Sequence, residues 1–263
     1  TAKKILQYSI ILLGFGMNLF EILAVGSQSL LIIVSTIGTA LITAYILSRI
    51  MNIERDIATL VGVGSSICGG SAIAAAAPVI KASDKDIAQS ISVIFLFNVV
   101  AAFLFPALGD MLGFTDTGFG MWAGTAINDT SSVVAAGQTW ASAHGSDTAL
   151  NYATIVKLTR TLAIIPICLG LAYITSKTKN TAADVKITSI FPMFILYFVM
   201  AAIFNTLAGE SLPALAQLPS IGKFMIAMAM AAIGLNTNLV SLVKSGGKPI
   251  LLVLVCWIFI ALV

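Results

Sequence analysis

The chain has 263 residues, 59% of them apolar and only 10% charged, and its mean hydropathy is +1.03. A soluble domain carries roughly 25% charged residues, so these few charges cannot cover a globule with a solvated surface, and an ordinary soluble enzyme is excluded. Three cysteines, each inside an apolar run, and a net charge of +3 scattered along the chain exclude a disulfide scaffold and a nucleic-acid-binding surface. What is left is an all-α polytopic membrane protein.

In chain order the charges divide the sequence into about nine apolar runs of crossing length. They cover residues 5–20, 22–48, 57–80, 87–109, 117–146, 148–176, 187–209 and 224–243, and a last one starts at Pro249. Asp129 interrupts the fifth run, and Lys157 and Arg160 the sixth. The final run ends at Val263 after about 22 Å of helix, short of the roughly 30 Å hydrocarbon core. A chain that starts at Thr1 and stops there reads as a single transmembrane domain, 1–263, truncated at both ends, and no signal peptide is visible.

Orientation follows the Lys/Arg bias. Lys3/Lys4, Arg49/Arg55, Lys81/Lys85, Lys177/Lys179/Lys186 and Lys244/Lys248 are expected in the cytoplasm. The loops with Glu21, Asp110/Asp116, Asp147 and Glu210 are expected outside, Lys223 being the exception. Residues 57–80 are then flanked by basic loops at both ends, and 118–146 by acidic ones. Either each segment enters and returns to its own side as a re-entrant hairpin, or both cross as discontinuous helices. The hairpin reading leaves the other seven segments alternating correctly.

The same two segments resemble each other. Gly64-Ser65-Ser66-Ile67-Cys68-Gly69-Gly70-Ser71-Ala72-Ile73-Ala74-Ala75-Ala76 aligns without gaps, sixty positions on, with Gly124-Thr125-Ala126-Ile127-Asn128-Asp129-Thr130-Ser131-Ser132-Val133-Val134-Ala135-Ala136. A second echo pairs Gly16-Met17-Asn18-Leu19 with Gly234-Leu235-Asn236-Thr237. Each pair points in opposite directions through the bilayer, the pattern of inverted repeats in secondary transporters.

Glycine and polar residues at mid-membrane depth interrupt a helix, and broken backbone is tolerated there only where protein buries it or a cavity meets it. The breaks leave free N–H groups at the half-helix starts near Ser71 and Ser131, a positive pole suited to an anion. Gly69 and Gly70 permit close approach, and Ser65, Ser66, Cys68, Ser71, Thr125, Asn128, Thr130, Ser131 and Ser132 complete the candidate binding set. The alternative is a small-residue packing seam, the reading that best suits Ala72–Ala77. Asp129 is an acid inside an apolar run, so it is a candidate for a coupling proton or cation and equally for a helix N-cap.

Lys157 and Arg160 are three residues apart on one helix face. Either they snorkel to the interface, or they face the cavity as part of the ion-coupling set. Asn18, Asn98 and Asn236 are supporting polar residues, placed to pair with broken helices or to bond between helices. His144 reads as exposed, and Pro106, Pro166 and Pro192 as kinks. No catalytic, metal or cofactor motif is apparent, and no cofactor is expected.

The motifs at 64–75 and 124–137, with the early Leu-Leu-Gly-Phe-Gly-Met-Asn-Leu, resemble the bacterial family named for sulfate export, over essentially the whole chain. The resemblance implies a multi-pass protein of the bacterial inner membrane, related to cation/proton antiporters and anion transporters. Such proteins carry two broken helices that meet near mid-membrane and work by alternating access. The expected partners are the lipid bilayer, a small anion substrate, a coupling H+ or Na+, and a second copy of the chain in a homodimer. Two other functions stay open: a Na+/H+-type antiporter using Asn128 and Asp129, and an intramembrane enzyme using Cys68 or Asp129, of which the transporter readings are preferred.

Overall fold

The computed structural model describes residues 2–179, 193–208, 215, 217–235 and 247–263. Among them lie twelve α-helices and no strand: α1 (Ala2–Gly14), α2 (Leu19–Met51), α3 (Arg55–Ser66), α4 (Gly70–Ile80), α5 (Asp84–Met111), α6 (Asp116–Ala126), α7 (Thr130–His144), α8 (Thr148–Thr161), α9 (Ile164–Lys179), α10 (Met193–Ala208), α11 (Leu218–Leu235) and α12 (Lys248–Leu262). Leu19–Met51, Asp84–Met111 and Thr148–Thr175 are each long and apolar enough to cross a bilayer. Large apolar side chains such as Leu31 and Phe103 point outward rather than into a core, as in a polytopic membrane protein whose solvent is lipid.

One segment boundary differs from the sequence reading, for a local reason. The first two runs divide before Asn18 rather than at Glu21. Asn18 Oδ1 accepts the Phe20 N–H at 2.8 Å and caps α2, so Glu21 falls in the first helical turn, where its charge meets the positive pole. The run 148–176 is one span of crossing length but is interrupted between α8 and α9. Pro166 has no N–H for the Leu162 carbonyl, which accepts the Ile165 N–H at 3.2 Å instead, so the ladder tightens and breaks between α8 and α9. Lys223, the basic exception on the acidic side, lies inside α11 and is paired with Asp147.

The segments 57–80 and 118–146 each fold back on themselves. At the open end of the first, Arg55, Asp56 and Thr59 of α3 line one small cavity together with Ile80 of α4. At the open end of the second, Trp140 Nε1 of α7 donates to Asp116 Oδ1 of α6 at 2.8 Å, and the indole stacks on Phe119 at 4.1 Å. Each half-helix has 11 to 15 residues, about 17–22 Å, too short to cross alone. Helix α5 runs about 42 Å from just after the mouth of the first hairpin to just before the mouth of the second. The hairpins therefore open to opposite faces. Arg49, Arg55, Lys81 and Lys248 lie at the first mouth, where Lys248 Nζ donates to the Met51 carbonyl at 3.1 Å. Asp110 and Asp116 lie at the second, Asp110 3.0 Å from His144 Nε2.

Small residues let α6 lie close against α8. A Cβ on Gly120 would stand 2.7 Å from Tyr152 Cβ, and one on Gly124 only 2.8 Å from Val156 Cβ and 2.9 Å from the Ala153 carbonyl oxygen. This seam brings the middle of α8 against the tip of the second hairpin.

Candidate functional site

The two hairpin tips meet. A Cβ placed on Gly69 would lie 3.6 Å from Asp129 Cβ and 3.3 Å from the Asn98 side-chain nitrogen. Asn98 of α5 also accepts the Asp129 N–H, at 3.2 Å, so it pairs with the broken segments.

Lys157 and Arg160 neither snorkel nor face open space. Both are fully buried and donate to main-chain carbonyls at the C-terminal ends of α3 and α6. Lys157 Nζ donates to Ile67 at 2.7 Å and to Ile127 at 3.0 Å. Arg160 donates through Nη2 to Ser65 and through Nε to Ser66, each at 2.8 Å, and through Nη1 to Thr125. Among the described residues no carboxylate comes within ion-pair distance of either. Four of these five carbonyls form two pairs, Ile67 with Ile127 and Ser65 with Thr125, each sixty positions apart. These are the pairs that the sequence repeat aligns, so one cation straddles each pair. A buried charge without a partner is costly; here the negative poles of two half-helices supply the compensation.

The other poles of the tips, the half-helix N-termini, are unequal. Asp129 is the N-cap of α7, its carboxylate accepting the Ser131 N–H at 3.0 Å. Its counterpart at the N-cap of α4 is Gly69, with φ +66°, and no side chain caps that helix. A left-handed φ at this spot suits glycine. Gly70, Ser71, Asp129 and Thr130 are partly accessible, whereas Ser65, Cys68 and Asn128 are buried. Among the described residues neither amide atom of Asn128 has a hydrogen-bond partner, nor has the Ser65 hydroxyl. Such orphans are rare in proteins and call for a specific explanation.

The structure thus brings Cys68, Gly69, Gly70, Ser71, Asn98, Asn128, Asp129, Thr130 and Ser131 to one place. Ser66 and Thr125 donate their hydroxyls back to the Val63 and Met121 carbonyls, so only their main chains face the cations. Ser132 is buried one position further into α7. Asn18 caps α2, and Asn236 lies outside the described residues. Sequence reasoning missed the carbonyl clamp of Ser65, Ser66, Ile67, Thr125 and Ile127. The signal was present in two cations three residues apart and two breaks sixty apart. Ala72, Ala76 and Ala77 are buried, as a packing seam requires.

An all-helical chain with three apolar stretches of crossing length and several shorter apolar helices is a multi-pass membrane protein. It belongs to the family described as conserved hypothetical protein 698, whose model matches residues 1–253. It is 55% identical to a UPF0324 membrane protein of Streptococcus pyogenes serotype M3 and 56% identical to one of Streptococcus mutans, in each case over the whole of this chain and 79% of the relative. A UPF0324 membrane protein of Fusobacterium nucleatum is 54% identical over the whole chain and 80% of its own length. No solved structure matches.

Proposed function

We propose that this protein is a secondary transporter that exports a small oxyanion, such as sulfate or sulfite, by alternating access coupled to H+ or Na+. One observation carries the reading: two opposed hairpin tips meet beside a buried cation pair, and one tip presents an uncapped helix N-terminus. An oxyanion at Gly70 and Ser71 meets free N–H groups aligned with a helix dipole, and the Ser71 hydroxyl adds a donor. Lys157 and Arg160 neutralise the carbonyl poles behind it, so the anion is not repelled by them. Asp129 stands against the same tip and is the coupling group. A proton or Na+ on its carboxylate offsets the charge of the arriving anion, which ties the two movements together. The resemblance to the family named for sulfate export supports the substrate class. Nothing in this reading calls for a cofactor or a catalytic step.

Flux of labelled sulfite and sulfate in proteoliposomes tests it. Wild type moves one of the two, and Ser71→Leu inserts in the membrane with flux reduced at least tenfold. Normal flux through Ser71→Leu refutes the site. The unpartnered Asn128 amide beside Asp129 favours one second reading, a Na+/H+ antiporter whose ion those side chains hold. Exchange of Na+ for H+ after a pH jump, with no anion flux, would establish that reading instead.

A further inference from the structure

At the mouth of the first hairpin, α2, α3 and α9 leave a groove of about 760 Å³ between them. Its inner wall is apolar, with Leu41, Val63, Ile167 and Leu171. At its outer end stand Ser48, Arg49 and Arg55; among its described lining residues are two cations and no acid, while Asp56, next to Arg55, lines the adjoining small cavity. Neither arginine is paired with a carboxylate among the described residues. Arg49, an exposed residue, lies over the Tyr45 ring at the edge of the groove, 5.4 Å from its centre. Of its lining Tyr45 and Ile174 are exposed, and on α2 so are Ile42 and Ile46, an apolar exterior suited to hydrocarbon. The charge bias of the loops puts this end at the cytoplasmic surface.

We infer that this groove binds an anionic phospholipid of the cytoplasmic leaflet, with its phosphate between Arg49 and Arg55 and one acyl chain along Leu41, Val63, Ile167 and Leu171. An apolar wall that ends in two unpaired cations at headgroup depth matches such a lipid in both halves. A zwitterionic lipid offers the same chain but lacks the net negative charge that two unpaired arginines favour, and a free anion fills only the outer end. Leu41 to Arg49 is two turns of α2, about 12 Å, enough for the first part of a chain. Basic pockets between helices on the cytoplasmic side are known to hold anionic headgroups. The bound lipid ties the end of α2 to the first hairpin and to α9, at the face from which that hairpin opens.

Thermal melting of the detergent-purified protein, together with mass spectrometry of the intact protein–lipid complex, tests this. Dioleoyl phosphatidylglycerol should raise the melting temperature by several degrees and stay bound at one molecule per chain. Dioleoyl phosphatidylcholine, dihexanoyl phosphatidylglycerol and inorganic phosphate should each give less than a third of that shift. In Arg49→Gln/Arg55→Gln the phosphatidylglycerol shift should fall to the phosphatidylcholine level. Leu171→Trp, which fills the wall and leaves both arginines, should lose the shift as well. An equal shift from phosphatidylcholine overturns the inference, as does an equal shift from phosphate or the short-chain lipid, or an undiminished shift in the double variant. The wild-type lipid series decides even where a variant folds poorly, and it is independent of what the protein transports.

Discussion

The hairpins α3–α4 and α6–α7 share a sequence pattern but differ at the residue that starts each second half-helix. Their carbonyl ends are treated alike: Lys157 straddles Ile67 and Ile127, and Arg160 straddles Ser65 and Thr125. Their amide ends diverge, because the aligned N-cap is Gly69 in one and Asp129 in the other. A glycine cap leaves N–H groups and a positive pole open, whereas an aspartate cap fills the pole with its own carboxylate. Equivalent backbones at one crossing point therefore offer opposite charges to whatever binds there.

The shared half of this comparison breaks most severely at the clamp. Arg160→Met leaves three buried carbonyls unpaired and Lys157→Met leaves two, at about 1–3 kcal/mol for each group. Extraction in mild detergent followed by size-exclusion chromatography should recover little monodisperse Arg160→Met and an intermediate yield of Lys157→Met. Wild-type yields of both would show that the carbonyls do not need these cations.

The next contrast is between two aligned glycines. A Cβ on Gly124 meets Val156 Cβ and the Ala153 main chain, whereas one on Gly64 meets side-chain atoms alone, Cδ1 of Ile94 and Cγ1 and Cδ1 of Ile73, which give more readily than main chain. Gly124→Ala should cost about 1–3 kcal/mol by overpacking, and Gly64→Ala clearly less, read as melting temperatures side by side. Equal losses would mean that the two hairpins pack alike.

The caps give a smaller effect. Asp129→Ala removes the acceptor for the Ser131 N–H and should cost about 1 kcal/mol, while Asp129→Asn, an equally good cap, should stay near wild type. The same melting curves read both, and a loss in Asp129→Asn as large as in Asp129→Ala would put the charge, not the cap, at the centre of stability.

The smallest effect lies at the second mouth. The Trp140 N–H, then the Ser146 hydroxyl, with a contribution from His144, hold the Asp116 carboxyl below the ordinary carboxylate range. A depressed folded-state value contributes stability above the unfolded value, near 4, and loses it as pH falls through the lower folded value. Trp140→Phe keeps the stack on Phe119 and removes the N–H, so its melting temperature should drop more at pH 7 than at about pH 3. A deficit independent of pH would remove Asp116 from the account.

Much of this molecule is written at the level of single residues in the sequence. The basic flanks of 57–80 and the acidic flanks of 118–146 singled out the two segments that fold back on themselves, without choosing between a hairpin and a crossing, and the gapless repeat indicated which residues correspond. Asp129 as a cap followed from its type and its place before Thr130. The partners of Lys157 and Arg160 were not legible, because backbone carbonyls leave no mark in a sequence. A search for a counter-ion finds only Asp129, although the actual partners are helix ends. The break at Asn18 was displaced for a related reason, since a cap depends on local geometry that a charge count does not see, whereas Pro166 marked its kink by residue type alone.

The division of roles between the tips is tested most directly by sulfite or sulfate flux in proteoliposomes, measured against pH and Na+ for wild type and Asp129→Asn. Because asparagine caps α7 as well as aspartate does and leaves the open pole at Gly69 untouched, the variant should still carry the anion, with a flux that no longer responds to pH or Na+. A flux through Asp129→Asn that keeps the wild-type dependence would contradict the assignment of the coupling charge to the second hairpin.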